Sequence, residues 1–492
     1  MNRVRPPWLA SGLSRRFWVL IGVLLACVAL SVSLLSGALL AAVLIALLPL
    51  LVLALQRELH RVGGEGHAPA VLIAIVLFLP FFQLVLPTRT LYLVWQGCTL
   101  AVVVFYLWAM EPAKRRLAVR SVLPLLVVFE VLSLAGALTL FITGALDSRA
   151  ILSALVFALS GSYLLVGAVI RTWAGSGERA SRILVYGGLL QLPMVAAEAA
   201  GLTEHLGSGI LSSLSSTLYG GAIGAATIVR YPGSFIDYEL FAEWTGILLI
   251  LAVGGLMYAR GRTRGALAVS VVALLWMGSL TATRGFLVAV ALAALVVVPG
   301  ALLSRRGRGF EGPLAVAAAV FAAYFLVPDV AVEGTLTRLL QTETTGANAF
   351  NRLPLWTEWW KLVVRMPWYG YGWGSSALQN AFAVFRVDFP HSMYFYFALT
   401  AGWPGFVALI VLVGMVLWSA WGGLAEGNAN AFRTLVLGVA VAYWVASEAK
   451  IEFVRLVFYG DLLLVLFGII AADRWHSLSL TRAHDEAEIL AE

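Results

Sequence analysis

The sequence predicts an all-α polytopic membrane protein. Hydrophobic residues make up 61% of the 492 positions, and charged residues only 12%. A water-soluble chain of this length cannot bury that much apolar surface, so the lipid bilayer must act as its solvent. The apolar residues also fall into runs of about 17 to 25, the length that crosses the hydrocarbon core as a helix. Together these observations predict about 12–14 transmembrane helices.

The apolar runs define the elements in order. The first of them, 17–55, lacks a small-residue cleavage site and is long enough for two spans joined near Gly37. Cys27 and Cys98 lie inside apolar runs and have the spacing of neither a disulfide framework nor a metal site. The predicted spans are 17–35, 37–55, 70–86, 90–110, 121–144, 150–170, 182–200, 244–259, 266–282, 284–303, 311–329, 393–420, 434–448 and 451–472.

The basic residues predict the orientation. Most of the 33 lysines and arginines fall in segments that are cytoplasmic if both chain termini are inside, among them KRRLAVR (114–120), ARGRTR (259–264) and SRRGR (304–308). The net charge of +7 is therefore a signal of topology, and it does not indicate nucleic-acid binding.

Two outer segments stand out by length, 201–243 and 330–392. The second is rich in tryptophan and tyrosine, which favour the membrane–water interface, and 354–365 has the apolar spacing of an amphipathic helix. We expect this loop to form short interfacial helices. Residues 215–229 are either a re-entrant or surface segment or a further span. The predicted divisions are 1–243 (N-terminal helices with the outer loop 201–243), 244–329 (further membrane helices), 330–392 (the large loop) and 393–492 (C-terminal helices and a short tail).

Three segments carry residues suited to chemistry. LTATRGFLVAV (280–290) puts Arg284 at an outer turn, RLPLWTEWWKLVVRMPWYGYGWGS (352–375) begins with Arg352, and PHSMYFYFALTAGWPG (390–405) puts His391 before an apolar helix. Guanidinium groups bind phosphate oxygens with two hydrogen bonds, and a neutral imidazole can accept a proton. Taken singly, a boundary arginine or a lone histidine is more often structural. Gly402, Pro404 and Gly405 predict a kink in the helix 393–420.

Taken together, the three segments resemble the O-antigen ligase and O-antigen polymerase family, the membrane enzymes that move glycans from an undecaprenyl diphosphate carrier. The matching elements are a T/S-x-R-G-like element in LTATRGFLVAV, which reads Thr-Arg-Gly at 283–285, R-x-x-x-W followed by P-x-x-G-x-G-x-G, and His-[Asn/Ser]-x-Tyr followed by G-x-x-G. The resemblance covers roughly 266–420 and implies a GT-C-like fold. Ser392 departs from the family's usual asparagine, although a hydroxyl can also donate or accept a hydrogen bond.

The resemblance implies a metal-independent glycosyltransferase without a cofactor, in the bacterial inner membrane with its active site in the periplasm. Its donor would be an undecaprenyl diphosphate-linked glycan. The acceptor would be lipid A core for a ligase, or another glycan for a surface-polysaccharide polymerase. The implied catalytic residues are His391, Arg284 and Arg352, and the implied substrate-binding residues are Arg284, Arg352, Trp356, Gly372, Ser392 and Tyr394.

Several alternatives stay open at this point. The three elements do not separate ligase from polymerase, and a transporter or lipid-linked glycan flippase is the competing class. The intramembrane Glu130 and Glu198 need a reason, either as helix–helix hydrogen bonders or, for Glu198, as a substrate contact. The role of Arg230 is undecided. Tyr394 and Trp373 either stack on sugar rings or, the favoured reading, anchor the loop.

Overall fold

The computed structural model of the chain describes residues 70–78, 89–146, 148–199, 238–281, 283, 286, 289–295, 352–373, 375, 378, 380, 392–421, 429–446 and 458–489. These residues are almost entirely helical and contain no β-strand, which confirms the all-α class. The predicted spans 17–35, 37–55 and 311–329 lie outside them, as do 215–229 and Arg230.

The described residues form the following helices in chain order. They are α1 (Ala70–Phe78), α2 (Arg89–Ala109), α3 (Pro112–Thr143), α4 (Ser148–Ser160), α5 (Ser162–Ala174), α6 (Gly177–Gly188), α7 (Leu192–Ala199), α8 (Tyr238–Tyr258), α9 (Gly261–Ser279), α10 (Arg352–Arg365), α11 (Met393–Trp421), α12 (Ala429–Ala446) and α13 (Phe458–Ile489).

Within the described residues, four helical stretches are long and apolar enough to cross a membrane. They are Pro112–Thr143, Ala150–Ala174, Met393–Ala420 and Asp461–Ser479. Two shorter apolar stretches, in α2 and α8, accompany them. The chain is therefore a membrane protein built from helices. The larger predicted total of about 12–14 extends over residues that the structure does not describe.

Helix α3 shows how the bilayer replaces water as the solvent. It begins well before the predicted run 121–144, and its outward face carries large apolar side chains three or four positions apart. Side chains at this spacing form one stripe along a helix. The exposed stripe consists of Leu123, Val127, Val131, Leu134, Leu138 and Phe141. In a bilayer the lipid tails can contact these side chains, so no other part of the protein has to bury them.

Two glycines bring α5 and α13 into backbone contact. A Cβ atom on Gly167 would meet the carbonyl oxygen of Val465, and one on Gly468 would meet that of Leu164. The contact is reciprocal because each glycine faces the backbone of the other helix. Small residues promote this close approach in membranes, where association depends on packing rather than on the hydrophobic effect. The two helices therefore form a tightly packed pair at the centre of the bundle.

Two of the predicted spans differ in detail from a single regular helix. The run 150–170 forms α4 and α5, which continue through Gly161 with helical backbone angles (φ −53°, ψ −26°), and the run 182–200 forms α6, a 3-10 turn and α7. Gly161 leaves room for Glu130 of α3, since a Cβ atom there would lie only 2.5 Å from the carboxylate Oε1. Glu130 thus packs against the junction of α4 and α5, while the side chain of Glu198 lies outside the described residues.

A buried carboxylate joins several helices at the end of the bundle predicted to be cytoplasmic. Asp473 of α13 accepts hydrogen bonds at Oδ1 from Arg171 Nε (2.9 Å) and from the backbone N–H of Gly177 (2.8 Å). The hydroxyl of Thr434 in α12 lies 3.4 Å from Oδ2. Because one carboxylate serves α5, α6, α12 and α13, it fixes their relative positions at this end.

Candidate functional site

The segment that begins at Arg352 starts with the amphipathic helix predicted there. Helix α10 buries Trp359, Leu362 and Val363 on one face and exposes Trp360 on the other. Its buried face packs against α11. Arg352 occupies the first position of α10 and Trp356 follows one turn later, but both side chains lie outside the described residues.

Helix α11, which follows His391, is broken as predicted. Gly402 has φ +65° and ψ −167°, a backbone conformation outside the helical region and open chiefly to glycine. Pro404 follows two residues later and has no N–H group to donate to the preceding turn. The break therefore leaves backbone groups of α11 without their usual helical partners.

Residues 367–373, named here the re-entrant segment, supply those partners. Three hydrogen bonds join its backbone to that of α11: Tyr371 N–H to Leu399 O (2.7 Å), Gly372 N–H to Thr400 O (2.9 Å) and Trp403 N–H to Trp368 O (2.9 Å). The segment thus takes the place of a missing turn of helix. As a result, the second and third sequence elements are joined directly through their main chains.

The re-entrant segment also reaches down the side of α3. The hydroxyl of Thr139 donates to the carbonyl of Tyr369, and the indole N–H of Trp373 donates to the carbonyl of Ser133 at 3.1 Å. Ser133 lies ten residues before the C-terminal end of α3, roughly 15 Å along the helix axis. Of the predicted short interfacial helices, the structure contains the helix α10, whereas the re-entrant segment packs against α3 and is not helical. The place of α10 at the membrane interface stays a prediction.

Trp373 is the anchor of the re-entrant segment. Its side chain is fully buried and stacks on Phe157 with ring centroids 4.4 Å apart. Phe157 stacks in turn on Phe129, and Phe397 meets Trp373 edge-on at 5.5 Å. Aromatic pairs in these arrangements contribute stability beyond their buried area. A fully buried indole has no face open to a sugar ring, so of the two readings for Trp373 the structure favours anchoring.

The residues around the predicted base are placed at the start of α11. Ser392 is buried immediately before the helix, and its carbonyl accepts the N–H of Tyr396 at 3.1 Å. Tyr394 is only partly buried. His391 lies outside the described residues, next to Ser392 in the chain. Gly372 has φ +88°, and a Cβ atom there would lie 2.5 Å from the side chain of Leu140 in α3.

The first sequence element follows the C-terminal end of α9. The hydroxyls of Thr281 and Thr283 are buried and 3.1 Å apart, and Thr283 Oγ1 accepts the backbone N–H of Phe286 at 3.4 Å. That bond caps the following helix, as a threonine at this position can. Arg284 itself lies outside the described residues. The structure therefore joins the second and third elements and leaves the place of the first arginine open.

Comparisons with known proteins bear on the predicted family. Family models, curated proteins and solved structures were all searched. No match was found. The resemblance to the O-antigen ligase and polymerase family thus depends on the three sequence elements alone, and it stays a prediction.

Sequence reasoning missed the part of α3 in this site. Small residues recur at every third position in Ser133, Gly136 and Thr139, and all three face the re-entrant segment. A Cβ atom on Gly136 would meet the indole of Trp373. A stripe of small residues on an otherwise bulky apolar helix indicates close backbone approach. This signal was available in the sequence, although it does not say which segment approaches.

Proposed function

We propose that the chain is a membrane glycosyltransferase that transfers a glycan from an undecaprenyl diphosphate carrier to an acceptor hydroxyl. The observation that carries the proposal is the backbone pairing between the re-entrant segment and α11. It joins the backbones of the elements that begin at Arg352 and His391, both of which the family resemblance requires. Chemistry shared between two such elements needs this kind of connection.

The proposed chemistry follows from the residue types. The acceptor oxygen attacks the anomeric carbon, the bond from that carbon to the diphosphate breaks, and undecaprenyl diphosphate leaves. Arg284 and Arg352 compensate the negative charge that grows on the phosphate oxygens, since a guanidinium keeps its proton and binds two oxygens at once. His391 accepts the proton of the acceptor hydroxyl, a general-base contribution of about 10²- to 10⁴-fold.

The proposed setting is the bacterial inner membrane, with both termini in the cytoplasm and the reaction on the periplasmic side. The distribution of basic residues supports this orientation. Lipid A core as acceptor would make the protein an O-antigen ligase, and a second carrier-linked glycan would make it a surface-polysaccharide polymerase. Both reactions use the same donor chemistry.

The competing proposal is a transporter or a flippase for lipid-linked glycans. A break within a span favours it, because interrupted helices such as the one at Gly402 are typical of transport sites in membranes. At Gly402, however, the free backbone groups are filled by the re-entrant segment and are not available to a cargo. This observation favours the transferase proposal over transport for the α11 break.

The test is transfer by the purified full-length chain in liposomes. In one arm, undecaprenyl diphosphate carrying a labelled oligosaccharide is supplied together with lipid A core as acceptor. In the other arm the same carrier-linked oligosaccharide is supplied alone, so that it must serve as both donor and acceptor. A new glycosidic product supports transfer, and its acceptor separates ligase from polymerase. Movement of intact donor between leaflets without a new bond would establish the transport proposal instead.

Matched variants complete the test. His391→Ala should lower turnover by at least about 100-fold, whereas His476→Ala, near the opposite end of the bundle, should leave it unchanged. Arg352→Lys should also impair transfer because the planar fork is lost, with the exposed Arg262→Lys as its control. Full activity of His391→Ala would exclude the general-base assignment.

A further inference from the structure

The contact between Gly370 and Gly402 has a feature that the transfer chemistry does not explain by itself. Both glycines have positive φ, +81° and +65°, and they face each other across the break in α11. A Cβ atom on Gly370 would lie 2.5 Å from the backbone nitrogen of Gly402, and a Cβ on Gly402 would meet the carbonyl oxygen of Trp368. The two backbones are thus as close as main chains can come.

The pairing at this contact is complete on both sides. In an unbroken helix the carbonyls of Leu399 and Thr400 would accept from residues 403 and 404, but Pro404 has no N–H and Trp403 donates to the re-entrant segment instead. The N–H groups of the re-entrant segment fill both carbonyls. Unsatisfied backbone groups are costly in hydrocarbon. Separating the re-entrant segment from α11 would therefore cost a large amount of free energy.

The contact is linked rigidly to the predicted base. Residues 393–401 form an uninterrupted helical stretch between Ser392 and Gly402, roughly 13 Å long. Its inner side is buried, with Phe397 packed on Trp373 of the re-entrant segment. A shift of the backbone at Gly402 is therefore transmitted to the residues just before α11, where His391 lies in the chain.

We propose that Gly370 and Gly402 are positioning residues: their backbone contact sets the place of the His391 end of α11 relative to the segment that begins at Arg352. This inference depends on the proposed glycosyl transfer. A side chain at either glycine forces the two main chains apart and displaces the base from the donor, while the groups that bind the carrier remain. A misplacement of about 1 Å is enough to lower turnover on the order of 100-fold.

The test compares Gly370→Ala and Gly402→Ala with Gly414→Ala in the full-length chain. Gly414 lies in the same helix, and a Cβ atom there has open space around it. With undecaprenyl diphosphate-linked oligosaccharide and lipid A core, the first two variants should lose about 10- to 100-fold in kcat at nearly unchanged KM, and Gly414→Ala should match wild type. A variant that is partly unfolded would also show a lower apparent kcat at unchanged KM, so the folded fraction and the melting temperature are measured in parallel and kcat is calculated per folded protein.

A second measurement follows the contact without using activity. Trp368→Cys and Trp403→Cys are combined in a chain with Cys27 and Cys98 replaced by serine, because residues 368 and 403 are joined by one backbone hydrogen bond. Oxidation should cross-link this pair efficiently, and Gly402→Ala should slow the cross-link at least tenfold while Gly414→Ala leaves it unchanged.

The outcomes are distinct. Wild-type kcat in Gly370→Ala and Gly402→Ala, or a fall explained wholly by lost folded protein, overturns the positioning role while the transferase stands. An unchanged cross-linking rate in Gly402→Ala overturns it as well. Absence of transfer by the wild-type chain refutes the proposed function, and the positioning role falls with it.

Discussion

The buried ion pair between Arg171 and Asp473 gives the sharpest prediction of stability. The side chains are only 4% and 8% exposed, and Arg171 Nη2 lies 2.8 Å from Asp473 Oδ1. Asp473→Asn keeps the shape and an acceptor for Gly177 but removes the charge. The guanidinium is then left buried without a counter-charge, which destabilises a protein by about 3–5 kcal/mol.

The expected change in melting temperature follows from the size of the chain. An unfolding entropy of about 2.1 cal/mol/K per residue gives about 1 kcal/mol/K for 492 residues, so Asp473→Asn should melt about 3–5 °C lower. Thermal unfolding in detergent is followed by the fluorescence of the tryptophans. Glu111→Gln breaks an exposed pair with Lys114, whose side chains are 61% and 58% exposed, and should change nothing measurable.

A double variant separates the charge from the packing. Arg171→Met with Asp473→Leu removes both charges, and it should be more stable than Asp473→Asn because no uncompensated ion remains. If the single variant melts like wild type, or if the double variant is as unstable as Asp473→Asn, the reasoning from a buried uncompensated charge is refuted.

Three further predictions concern packing and the re-entrant segment. Gly468→Leu should prevent the close packing of α5 on α13 and lower the yield of folded protein severalfold in size-exclusion profiles. Gly414→Leu is the control and should be tolerated, and equal yields of the two variants would contradict the glycine contact. Thr139→Val removes the hydroxyl bond to the re-entrant segment and should speed hydrogen exchange of its amides about tenfold, with Thr143→Val as the control and unchanged exchange as the contrary result. Trp373→Ala should destabilise the protein by about 3–5 kcal/mol, seen as a lower melting temperature, and a melting curve like that of wild type would argue against its role as anchor.

Several local features followed directly from the order of residues. The amphipathic spacing of residues 354–365 predicted α10, and the structure confirms a helix over Arg352–Arg365. The pair Gly402 and Pro404 predicted the break in α11, since one permits a non-helical backbone and the other removes a donor. Both predictions depend on neighbouring residues only.

Other features depended on partners distant in the chain. The 3-10 turn after Gly188 lies inside a continuous apolar run, where hydropathy gives no sign of an irregular helix. The glycines of the re-entrant segment predicted a tight turn, but its entry into the bundle depends on Ser133, Gly136 and Thr139, more than 200 positions earlier.

The sequence by itself determined that the protein is a helical membrane protein and where the main chain of α11 bends. The length of the apolar runs, the glycine and the proline have these effects locally. The tertiary structure alone decided which carbonyls of α11 receive which N–H groups, and that the segment beginning at Arg352 closes the helix that follows His391. The physical reason is that a hydrocarbon solvent requires every broken backbone bond to find a partner, yet it does not specify from which part of the chain that partner comes.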